Sequence, residues 1–326
     1  MKLATLQNGE RDGALIVVSR DLVSAALATD IAPTMLAAIE QWPRVSMALN
    51  ERYKQLNSGQ CRDAIAFDAR HCRAPLPRAP QWLDGSAFLN HGRLLEKAFG
   101  NAPIADIDTI PLMYQGASDD FLGARDDVPL PEEASGIDFE GEFGVIVDDV
   151  PSGCKATDAA AHILLIVLIN DWSLRAEGKR EIATGFGFIH AKPSTSFAPI
   201  AITPDELGDA WKDSRVHRPL NIEWNGDEFG RPNGREMNFG FHELIAHAAK
   251  TRKLSAGTVI GSGTVSNASR EAGSACIQER RVIEMIEHGK PLTPFMRFGE
   301  SVRMYVTHID GSDLFASIDQ RVTQGS

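Results

Sequence analysis

Short apolar blocks separated by polar turns open the chain. Met1–Leu6 and Ala14–Val18 have strand length, and Asn8–Gly13 between them has hairpin-loop composition, so a small β unit is expected first. Helical patterns follow at Leu22–Ala28 and Pro33–Gln55. In the second, Met35, Ile39, Trp42, Val45 and Leu49 form one apolar stripe, and Pro43 should kink or split the helix. Pro75, Pro77 and Pro80 then stiffen a segment that can be neither helix nor central strand. The domain boundary is placed there, with a small N-terminal domain at 1–75 and a larger one at 76–326.

Beyond that segment the pattern is mostly β. Strands are expected at Phe139–Val147, Ala198–Ile202, Leu220–Trp224, Val259–Gly261 and Ser301–His308. Helices are expected at Ala159–Ile169, capped by Asp158, and at Asn238–Lys250, with Phe241, Leu244, Ile245 and Ala248 at helical spacing. Strand and helix do not alternate regularly, and no GxGxxG follows a strand, so a doubly wound nucleotide fold is disfavoured. The fold class expected is mainly β (α+β).

The 326 residues suit about two domains. With 33 Lys and Arg against 44 Asp and Glu, the formal charge is −11, and no basic run offers a patch for a phosphate backbone. Nucleic acid is therefore not an expected partner. Cys61, Cys72, Cys154 and Cys276 form no CxxC pair, which fits a reduced, cytoplasmic chain without a thiolate metal cage. The start lacks the apolar core of a signal peptide, and the longest apolar run, Ile163 to Ile169, is far below the ~20 residues of a membrane span. A membrane is not an expected partner either.

Four segments could carry chemistry. Glu140 and Glu142 project from one face of their expected strand, with Asp138 beside them and Phe139, Phe143 and Val145 on the other face. Two carboxylates so close repel unless solvated or bridged by a hard cation with oxygen ligands. Asp171 emerges directly from a dense apolar run and needs a partner, either Arg175, the backbone or a metal shared with the glutamates. Lys192 precedes a proline in an extended segment between aromatics, where an ammonium could meet an anion or simply face water. Gly261-Ser262-Gly263-Thr264 is either a turn or a place where a ligand approaches the backbone, with the Thr264 hydroxyl as a donor.

In order and spacing these segments resemble the fumarylacetoacetate hydrolase family. The matching features are E-x-E (Glu140, Glu142), N-D-W-S-x-R (Asn170 to Arg175), the Lys192-Pro193-Ser194 segment and G-S-G-T (Gly261 to Thr264). The resemblance runs from about Asp108 to the C-terminus, and the residues before the prolines are similar to the family's small N-terminal domain. It implies a distorted β-roll catalytic domain, usually in a homodimer. It further implies Mg²⁺, Ca²⁺ or Mn²⁺, with Mg²⁺ the first expectation, held by Glu140, Glu142 and Asp171. Arg175, Lys192 and Thr264 would bind substrate.

Such a site suits a small oxo or diketo acid. A metal would polarise the carbonyls, water would attack one of them, and the C–C bond would break to leave an enolate, with Lys192 and Arg175 adding positive charge. The expected activity is hydrolysis of a C–C bond in a fumarylacetoacetate- or acylpyruvate-type acid. Alternatives are a hydratase, decarboxylase or isomerase of 2-oxo acids in aromatic catabolism, or a non-catalytic metal-binding scaffold. The family's hydrolases activate water with a His–Glu pair. His91 and Glu96 are five positions apart, about 140° apart round a helix, so they would not stack. Glu279 occupies the region of another family glutamate and could orient a base, and His91 stands as a separate candidate.

Overall fold

The computed structural model describes residues 1–100 and 102–325. The chain opens on the expected hairpin: Lys2–Leu6 pairs with Ala14–Val18 in antiparallel register, Leu6 opposite Ala14. Leu22–Ala28, read as helical, is instead the strand Ser24–Leu27 on the outer edge of Ala14–Val18. Leu22 has a φ of 61°, and this turn reverses the chain before a helix can nucleate. The Pro33–Gln55 pattern is split as expected, into helices Met35–Glu40 and Trp42–Asn57, with Pro43 in the first turn of the second. There its missing N–H costs nothing.

A larger correction concerns Ala159–Ile169. Only Ala156–Ala159 is α-helical; a 3₁₀ turn follows, and Ile163–Asn170 is a strand, every residue of it buried. An apolar run without period fits a strand covered on both faces as well as a buried helix. The neighbours decide: the run pairs with Gly141–Val147 on one side and with Ile200–Ile202 on the other.

These strands belong to an eleven-stranded mixed sheet that runs without a break from the N-terminal hairpin, through Ile200–Ile202, Ile163–Asn170, Gly141–Val147 and Val259–Gly261, to Trp82–Gly85 and Met113–Gly116. Alternate side chains feed two apolar layers. Leu15, Val17, Leu165 and Val167 pack under the helices that carry Met35, Ile39, Val45 and Leu49. Ile16, Val18, Ile166 and Leu168 face a second layer that contains Phe241, Leu244 and Ile245. That layer also receives Ile222, Val302, Met304 and Ile318 from a five-stranded sheet formed by Val128–Leu130, Asn221–Trp224, Asp227–Gly230, Ser301–Tyr305 and Ile318–Gln324. The architecture is mainly β, with helices Leu89–Phe99, Arg175–Thr184 and Ile277–His288 added near the rim of the site. Among the described residues no helix is long and apolar enough to cross a membrane.

Candidate active site

Strand register assembles the acidic centre. Ile169 pairs with Glu142 and Asn170 with Gly141, so Asp171 leaves its strand beside Glu140, whose carbonyl accepts the Asp171 N–H at 3.0 Å. On the far side of the Glu142 strand, Gly261 pairs with both Gly144 and Asp84. One oxygen from each of Asp84, Glu142 and Asp171 lies within 4.8 Å of the others, and all three residues are buried. Gly263, at a φ of +76°, donates its N–H to Asp84 Oδ1 at 3.0 Å; a Cβ there would collide with the Gly85 carbonyl. This gives the G-S-G-T segment a structural reason for its glycine.

Glu140 falls outside this trio. Its Oε2 meets Lys192 Nζ at 2.8 Å, while Oε1 meets Arg175 at 2.5 Å and accepts the Ser173 hydroxyl at 3.2 Å. Lys192 Nζ also lies 2.5 Å from Asp171 Oδ2 and so bridges Glu140 to the trio. Lys192 reaches this place because the chain after it runs beside the Asp171 strand: Ser196 pairs with Asn170, and the Thr195 hydroxyl bonds Asp171 Oδ1 at 2.8 Å. The Tyr114 hydroxyl donates to Asp171 Oδ2, and the Lys192 ammonium sits 5.5 Å from the Tyr114 ring centre.

Charge is unbalanced here. Arg175 is shared between Glu140 and Asp138, and Asp138 also accepts the N–H groups of Ile277 and Gln278 at the start of a helix. Both cations are thus occupied by carboxylates of the protein itself. Burial opposes ionisation of Glu140, yet Lys192 and Arg175 hold its carboxyl well below the ordinary range. Glu142 forms no ion pair among the described residues: burial, then Asp84, Asp171 and Glu140, push its carboxyl well up. Burial and Asp171 raise Asp84 from 3.8 to about 8. Among the described residues neither Glu142 side-chain oxygen has a hydrogen-bond partner. A buried carboxylate left in this way is costly unless a positive charge meets it. An all-oxygen set with surplus negative charge fits a hard divalent cation.

The acid–base candidates also meet. His91 Nδ1 lies 2.8 Å from Glu279 Oε2, and Glu279 is buried. Glu96 is no partner of His91; its Oε1 instead accepts the Ile104 N–H at 3.4 Å. Thr264 is buried just past Gly263, and its side chain takes part in no hydrogen bond among the described residues. Sequence reasoning missed Asp84 and Tyr114. The available signal for Asp84 was a lone carboxylate in the short apolar run Trp82-Leu83-Asp84-Gly85 directly after the prolines. A cavity of about 770 Å³ opens onto Ser173, Arg175 and Lys192.

The comparisons agree with this architecture. Residues 81–318 match the fumarylacetoacetate (FAA) hydrolase C-terminal model, and residues 1–78 match the fumarylacetoacetase N-terminal domain 2 model. A 2,4-didehydro-3-deoxy-L-rhamnonate hydrolase of a Sphingomonas strain is 30% identical over 161 residues, 48% of this chain and 54% of that protein. A human mitochondrial oxaloacetate tautomerase is 26% identical over 166 residues, 47% of this chain and 48% of the relative. The chain thus spans about half the length of the curated relatives it matches. Among solved structures, maleylpyruvate hydrolase from Sphingobium sp. SYK-6, in complex with manganese(II) and pyruvate, superposes over 100% of both chains with a TM-score of 0.64 at 16% identity. With both family models matched along nearly its whole length, the chain belongs to the fumarylacetoacetate hydrolase family.

Proposed function

We propose that the protein is a divalent-cation-dependent hydrolase that cleaves a C–C bond in a diketo acid of the acylpyruvate or fumarylacetoacetate type. The observation that carries this reading is the presence in one fold of an oxygen-only carboxylate trio and a His91–Glu279 pair. Asp84, Glu142 and Asp171 would hold the cation, with Glu140 at its border through their shared Lys192. When bound, such a cation polarises carbonyl oxygens as a Lewis acid. Relatives named as hydrolases, one of them solved with manganese(II) and pyruvate, support the reading.

The chain's own groups account for the proton movements. Glu279 accepts from Nδ1–H, which leaves Nε2 of His91 as the free base. Nε2 takes a proton from water as the water oxygen bonds to the acyl carbonyl carbon. The C–C electron pair leaves with the pyruvate half as an enolate, and the proton on Nε2 passes to that carbon to complete the balance. The Lys192 ammonium supplies positive charge beside the developing oxyanion. Because it is already paired with Glu140 and Asp171, it is held in place before substrate arrives.

The test follows loss of the enol absorbance of acetylpyruvate and fumarylpyruvate, with Mg²⁺, Mn²⁺ or Ca²⁺ and with chelator. Cation-dependent release of pyruvate is expected. Faster enol–keto exchange of oxaloacetate without cleavage of any diketo acid would replace hydrolysis by the tautomerase activity named for the human relative.

A further inference from the structure

We infer that the cavity beside the catalytic pair is an acyl-tail pocket that selects diketo acids with a long hydrophobic tail, either medium-chain alkyl or aryl. This inference rests on the hydrolase reading and names the substrate class of the same site. The geometry begins on one helix. His91, Leu95 and Phe99 recur at i, i+4 and i+8 on Leu89–Phe99, so they form a single stripe about 12 Å long that starts at the base. Leu95 and Phe99 line the cavity of about 770 Å³ that also opens onto Arg175 and Lys192. That volume lies within the usual range for a small-molecule site.

The facing wall is equally apolar. Helix Ile277–His288, which packs beside the first, starts next to Glu279 and contributes Met285, while Phe295 and Phe188 close the sides. Phe188 is fixed edge-on to Tyr114 at 5.0 Å between ring centres, which ties this wall to the Asp171 partner. Phe99 and Ile182, which also line the cavity, are 51% and 69% exposed, so apolar surface continues from the wall toward solvent.

Four cations line the cavity, and of these Lys179 is exposed and forms no ion pair among the described residues, so the apolar lining carries the choice of tail. Arg175 and Lys192 are paired with carboxylates of the protein. Arg281 donates to the Thr293 carbonyl and sits over Phe295, 4.3 Å from the ring centre, so its charge is engaged by the protein. A hydrophobic tail laid along the Leu95–Phe99 stripe would cover apolar surface at both ends of the cavity, while its diketo acid end remained at the carboxylate trio.

Two series of compounds test this on the Mg²⁺-loaded full chain. Calorimetric binding of 2-oxo acids from pyruvate to 2-oxodecanoate reads the pocket without any turnover. The affinity is expected to rise roughly threefold to fourfold per added methylene until the pocket is full. In the second series, kcat/KM for acylpyruvates from acetyl to octanoyl should rise in parallel, and Phe99→Ser should reduce the octanoyl-to-acetyl ratio by about tenfold. Affinity that rises with tail length while no diketo acid is cleaved would keep the pocket and remove the hydrolase reading. Affinity and kcat/KM that are flat or falling with tail length, or a preference for fumarylpyruvate over hexanoylpyruvate, would overturn the pocket while the hydrolase reading stood.

Discussion

His91 Nδ1 and Glu279 Oε2 stand 2.8 Å apart although 188 positions separate the two residues. The contact joins the first turns of two helices, Leu89–Phe99 and Ile277–His288. It is held from beneath by Asp138, which accepts the N–H groups of Ile277 and Gln278 and pairs with Arg175. The helix that carries Glu279 is therefore tied to the same cation that meets Glu140.

His91→Asn should lower kcat by roughly 10²- to 10⁴-fold with little change in KM, the scale of a lost general base. Glu279→Gln retains an acceptor for Nδ1–H but no charge, so a smaller loss, about 10- to 100-fold, is expected. Steady-state kinetics on acetylpyruvate read both. If the two variants kept full kcat, the pair would have no part in water activation.

Glu142→Gln should abolish cation binding without unfolding the chain. With 100-fold excess of Mg²⁺ over its Kd, the parent should gain about 2.7 kcal/mol of stability over chelator-treated protein. Differential scanning fluorimetry of both proteins measures this. A variant that retained the same Mg²⁺-dependent rise in Tm would remove Glu142 from the cation site.

Acid should stabilise the cation-free protein relative to neutral pH. The folded-state value of Asp84, about 8, lies above its ordinary 3.8, and Glu142 is shifted in the same direction. The folded chain thus holds more protons than the unfolded chain between those values, and stability falls as pH rises through that window. Ligands must lose those protons to bind a cation, so the gain in Tm from Mg²⁺ should be larger at pH 8 than at pH 6. Urea midpoints with chelator from pH 5 to pH 8 test the first statement, and a flat series refutes it.

Asp138→Ala should destabilise the fold by about 3 kcal/mol, because it takes from Arg175 one of its two carboxylates and leaves two helix N–H groups without their acceptor. Chemical denaturation gives the magnitude. A change below about 0.5 kcal/mol would mean that water replaces the carboxylate without loss.

Much of the architecture was legible locally. The hairpin at Lys2–Leu6 and Ala14–Val18, the split at Pro43 and the helix Phe241–Ala248 each follow from a period or a breaker within a few residues. Ile163–Asn170 was not legible as a strand, because a fully apolar run has no period to read and only its two neighbours make it one. Ser24–Leu27 was misread for a similar reason: a short run of Ala, Val and Leu suits a helix until an adjacent strand offers its edge.

For the site, the chain alone supplied the acidic and basic parts that lie close together in order: Glu140 and Glu142, Asp171 with Arg175, Lys192, and the glycines before Thr264. Tertiary structure decided how those parts are used: which carboxylates share a centre, that Asp84 joins them, that Arg175 and Lys192 are occupied by the protein's own acids, and that His91 meets Glu279. The physical reason is range. Periodicity, caps and breakers act over a few residues, whereas burial of charge is settled by strand register and helix docking between segments far apart in the chain.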